Sequence, residues 1–183
     1  MKSNVLWIVK TAIFLAALVV LQAITKPFGP IVTGSAVNFV LIATTLTVGM
    51  GSGLIVACVS PFLAFFLQVV PLPIFFVPVI ALGNAVLVVI YALILKKAVN
   101  KSTGAKLFVW IIAIVASSAL KFITLYGGVN WAVIPMMTAI KGAAVKAPAA
   151  IFSTTQMITA AIGGVLATLV VPPILKAIKN KKY

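Results

Sequence analysis

Lys121 lies inside an apolar run, residues 107–126 (LFVWIIAIVASSALKFITLY), of a sequence with fourteen lysines, no arginine and no acidic or histidine side chain. The run is long enough to cross a bilayer, and a charge at membrane depth costs about 2.5–3.5 kcal/mol on insertion scales. No side-chain carboxylate exists to neutralise it. Two alternatives follow. The ammonium snorkels along its own stem to the nearby outer interface, or it faces the interior of a helix bundle and meets an anionic group carried by a ligand, a lipid or another subunit.

Other polar side chains interrupt otherwise apolar segments: Asn38, Gln68, Asn84 and Gln156, with Tyr126, Asn130 and Trp131 just beyond the Lys121 run. Taken singly, an amide inside a membrane helix commonly hydrogen-bonds across the bundle, and Trp and Tyr near helix ends anchor in the interface. Taken together with Lys121, they fall at similar depth on several segments and read as the lining of one outward-facing substrate pocket.

The composition removes whole classes of chemistry. Without His, Asp or Glu there is no ordinary metal site, catalytic triad or carboxylate acid/base pair, so neither an enzyme nor a bound metal or cofactor is expected. Cys58 is the single cysteine and forms no intrachain disulfide. Intramembrane proton relays use Asp, Glu or His, which disfavours ion-coupled transport, and no Walker pattern is present for ATP hydrolysis. The net charge of +14 comes from lysines at segment ends rather than from arginine, which argues against nucleic-acid binding.

Positioning these residues requires a membrane scaffold. The sequence of 183 residues is 64% hydrophobic, against about 45–50% in soluble domains, with room for about six spans in a single bundle covering residues 1–183. The apolar stretches are 5–23, 36–48, 54–70, 76–95, 107–126 and 149–177. The first is too long, and lacks the A-x-A site, to be a cleaved signal peptide. Residues 25–35 (TKPFGPIVTGS) and 49–53 (GMGSG) read as breaks. Pro61 is expected to kink the third helix. Residues 127–148 form the longest connection, with room for a short helix or re-entrant piece. Eight lysines fall in 96–106 and 176–182, on one side of a six-helix count, so the positive-inside rule makes that side and both termini cytoplasmic. On the first helix, Ala12 and Ala16 are four residues apart on one face, where small side chains let another helix approach closely.

This all-α polytopic pattern resembles the S components, the substrate-binding subunits of energy-coupling factor (ECF) vitamin transporters. The resemblance rests on the length, the helix count, the A-x-x-x-A pair Ala12 and Ala16, and three segments: residues 33–38 (TGSAVN), Ser60-Pro61-Phe62 and Ala81-Leu82-Gly83-Asn84. It implies a protein of the prokaryotic plasma membrane that captures a vitamin or related micronutrient from outside. It also implies a transmembrane coupling (T) subunit, docked on the alanine face of the first helix, and two ABC-type ATPases that drive delivery inward as the subunit topples in the bilayer. With no acid to balance a cation, and with Lys121 and the outer Lys26, Lys141 and Lys146, an anionic or neutral substrate is favoured. The readings that compete are a stand-alone channel or facilitator and a non-transporting structural subunit of a membrane complex.

Overall fold

The computed structural model describes residues 2–69, 73–96, 103–141 and 154–180. Among these residues the chain is helical, without strands. The helices are α1 (Lys2–Thr25), α2 (Pro30–Thr47), α3 (Met50–Phe66), α4 (Val77–Lys96), α5 (Thr103–Gly127), α6 (Ile134–Lys141) and α7 (Thr154–Asn180). Five apolar stretches reach membrane-spanning length among the described residues: Asn4–Phe28, Pro30–Thr47, Ile74–Leu95, Leu107–Ile140 and Thr154–Ile178. The 17-residue α3 is shorter, at about 26 Å. It is an all-α polytopic membrane protein.

Several boundaries differ from the sequence expectation, each for a local reason. The break expected at residues 25–35 shrinks to one 3₁₀ turn, Lys26–Phe28, and Gly29 at φ 87°. Pro30 then occupies the first helical turn, where its missing N–H costs nothing, and the helix runs on through Gly34. Likewise only Gly49, at φ 127°, is non-helical in the 49–53 stretch. Pro61 lies within α3 and leaves the Ala57 carbonyl without its backbone donor. The chain leaves α3 at Phe66 rather than near Val70, and Gln68 follows in a left-handed conformation at φ 55°.

The largest departure is at residues 127–148, expected as a connection. Helix α5 instead continues through a π-helical turn, Gly128–Val133, directly into α6. The wide turn precedes Pro135, whose ring would otherwise crowd the carbonyl four residues back. It also lowers the phase drift between residues four apart, so Leu125, Val129, Val133 and Met137 share one buried cluster with Phe76. At 1.5 Å per residue the 34-residue apolar stretch is about 50 Å long, some 20 Å more than a bilayer core. Residues 142–153, including Lys146, lie outside the described residues, as do 97–102.

The main core gathers Leu18, Leu41, Ile42, Val56, Leu87, Val88, Tyr91, Ala113, Ala160 and Val171 from α1, α2, α3, α4, α5 and α7. Helix α1 is the most peripheral. It is tied in by Leu18 and by a buried hydroxyl pair, Thr11 Oγ1 to Ser52 Oγ at 2.7 Å. Helices α2 and α7 pack closely along their seam. A Cβ at Gly34 would lie 2.9 Å from Thr159 Cγ2, and one at Gly163 would lie 2.6 Å from Asn38 Cβ and 2.9 Å from the Phe39 amide nitrogen. Gly163→Val must therefore push the helices apart. We expect it to destabilise the protein by about 1–3 kcal/mol, measured as a lower unfolding midpoint in detergent.

Candidate functional site

The network that positions Lys121 begins in α7. Thr159 Oγ1 donates to the Gln156 carbonyl (3.2 Å), and Asn38 Nδ2 of α2 donates to Thr159 Oγ1 (3.3 Å). That leaves Asn38 Oδ1 turned toward α5, where Lys121 Nζ donates to it at 2.5 Å. The same ammonium donates to Asn84 Oδ1 of α4 at 2.7 Å. Asn38, Asn84, Thr159 and Lys121 are all buried, Lys121 to 2% exposure. Four helices thus converge on one lysine. Asn38 and Asn84 each lie about two turns inside their helices, at a depth where no bulk water substitutes for a lost partner.

Of the two alternatives for Lys121, snorkelling is overturned. The stem points inward because the helical chain does not stop near Tyr126 but runs on through the π turn, and because the two amide oxygens hold the ammonium in the bundle. Its partners are within the chain but neutral. They satisfy two hydrogen bonds and leave the charge uncancelled, and the ammonium carries a third donor.

Lys121 faces a cavity of about 390 Å³. The polar part of its wall is Gln22, Lys26, Thr33, Asn38, Asn84, Lys121 and Gln156; the apolar part includes Val37, Pro61, Phe65, Val77 and Ile80. An apolar chamber with a few convergent polar groups is the usual form of a small-molecule site. At the rim, Lys26 Nζ donates to the Gln68 carbonyl (2.8 Å), closing the α1–α2 turn against the end of α3.

The chain matches the family model described as ECF transporter, substrate-specific component, over residues 7–175. It belongs to that family. No curated protein and no solved structure matches it. As an ECF substrate-specific component it is a multi-pass membrane protein of a transporter family whose members bind a small molecule and work with a T subunit and ATPases.

In this S component the sequence-predicted residues divide. Asn38, Asn84, Lys121 and Gln156 are brought together on the cavity wall. Gln68, Tyr126, Asn130 and Trp131 are not on it. Gln68 turns its side-chain nitrogen to the Phe65 carbonyl at 3.4 Å. Tyr126 stacks on Phe122, Asn130 Nδ2 donates to the Tyr126 carbonyl at 2.8 Å, and Trp131 is 81% exposed. The last three belong to the continuous helix rather than to a loop over the pocket. Gln22 and Thr33 were missed, and Lys26 was read only as an outer lysine favouring an anionic or neutral substrate. The signal for Gln22 was the one that singled out the other amides, a polar group inside an apolar run. For Lys26 and Thr33, their stretch read as a break with no assigned face.

Because Asn84 Oδ1 is one of two acceptors for a buried ammonium, Asn84→Leu should destabilise by about 1–3 kcal/mol. Combined with Lys121→Met the cost should largely disappear, since the methionine needs no acceptor. A double-mutant cycle on thermal unfolding reads this coupling, and additive effects would contradict the network.

Proposed function

We propose that this S component captures a vitamin or related micronutrient in the Lys121 cavity, with an anionic or oxygen-rich neutral group accepting the free Nζ donor. Asn38, Asn84 and Gln156 form the polar wall around that group, and the apolar wall takes the body of the molecule. The observation carrying this reading is a buried ammonium held by two neutral amides at the edge of an apolar chamber. Such an arrangement keeps positive potential in a region of low dielectric, where its attraction for an anion is less screened than in water. Gln68, Tyr126, Asn130 and Trp131 are then rim or helix-surface residues.

The whole chain acts as one substrate-binding unit in a prokaryotic plasma membrane, with the cavity end outward and both termini cytoplasmic, as the lysine distribution favours. The substrate passes inward with a transmembrane coupling subunit and two ABC-type ATPases. Ala12 and Ala16 are exposed on α1, the least buried span, and serve as the coupling-subunit contact.

Lys121→Met, which removes the charge but keeps the stem, should remain folded and lose affinity by at least about tenfold, or 1.4 kcal/mol. Calorimetric titration with ligands found in a thermal-shift screen of micronutrients measures it, and unchanged affinity would exclude the assignment. Ala12→Leu or Ala16→Leu should abolish uptake in cells supplying the coupling subunit and ATPases, with binding by the purified protein intact.

A further inference from the structure

We infer that Gln22 is a second, distal binding residue of the cavity, so that the ligand is bipolar: an oxygen-rich anionic end at Lys121 and an amide-like hydrogen-bonding end at Gln22. The inference rests on the proposed reading of the cavity and adds the chemistry of its other pole.

Gln22 is 7% exposed, and its Oε1 is buried with no hydrogen-bond partner among the described residues. An unmet acceptor of this kind is costly and rare in a native interior, so it calls for a partner. Three buried hydroxyls in the same condition, those of Ser60, Tyr91 and Ser118, are not on the cavity wall, whereas Gln22 is. Nor does Lys26 supply the missing donor: its ammonium donates to the Gln68 carbonyl and makes no bond to Gln22 Oε1. The group that satisfies Gln22 therefore comes from the contents of the cavity. A carboxamide offers both an acceptor and N–H donors, and its complement is a group that does the same: an amide, a ureido group or a lactam.

Helix geometry sets the spacing. Gln22 lies three residues before the end of α1, whereas Asn38, at the level of Lys121, lies eight residues beyond the start of α2. With those two ends joined by one short turn, the 1.5 Å rise places the poles about 7 Å apart along the bundle. The cavity wall also carries Val37, Phe65 and Ile80, which suit an apolar spacer. The ligand class is a small carboxylate or similar anion joined through an apolar spacer to an amide-type group.

The test is titration of the purified full chain in detergent with three matched spacer series: ω-ureido carboxylates, their methyl esters, and ω-methoxy carboxylates. The wild type should prefer the best ureido carboxylate over its methoxy counterpart by about tenfold. Gln22→Leu should erase that preference, bringing ureido binding down to the methoxy level. The ligand-free variant should melt at the same or a higher temperature, because it loses an unmet buried amide; a merely structural Gln22 would lower it. A preference that survives Gln22→Leu, or its absence in the wild type, overturns the inference while leaving the Lys121 reading in place. Esters that bind as well as acids overturn the anionic end, and binding by none of the three series overturns the cavity reading and this inference together.

Discussion

The fold depends on how it accommodates one buried ammonium without an acid. A carboxylate partner would neutralise Lys121 and leave a closed ion pair. Two asparagine oxygens instead satisfy donors while contributing only dipoles, so the positive potential persists. Because those asparagines come from α2 and α4 and the lysine from α5, the same bonds lock three helices at one level. Thr159 extends the lock to α7 through the other end of the Asn38 amide. A buried polar network of this kind is worth having only when its members meet with good geometry, which constrains the packing around it.

That constraint explains the small residues of the α2–α7 seam. Gly34 faces Thr159 and Gly163 faces Asn38, so two of the network's polar residues sit opposite positions without side chains. Larger residues there would widen the seam beyond hydrogen-bond reach. Packing in this bundle thus serves the placement of polar atoms as much as the exclusion of lipid. The cavity remains at the end of the bundle where α1 turns into α2 and α3 stops short, with α1 only loosely attached beside it.

The continuous helix through residues 103–141 gives that end its second support. A π turn placed just before Pro135 keeps the chain helical and gathers four apolar side chains into one cluster with Phe76, in the 3₁₀ turn just before α4. The segment that bears Lys121 is thereby braced against the segment that bears Asn84, close to where their side chains meet.

The sequence by itself determined the helical membrane architecture, because some twenty consecutive apolar residues leave a backbone no other way to satisfy its polar groups in lipid. It also singled out Lys121 and the amides Asn38, Asn84 and Gln156, because polar atoms in apolar runs stand out against a uniform background. What it left open was direction. Whether Lys121 reaches outward or inward depends on the phase of α5 and on where that helix ends, and Pro135 and the glycines at 127 and 128 read as a break. Only neighbouring helices decided otherwise: Phe76 rewards helical continuation, and Asn38 and Asn84 supply oxygens at the right depth. The same limit separated Gln22 from Gln68. Both are amides near helix ends, but the tertiary packing buries one on the cavity wall and leaves the other to cap Phe65 at the rim.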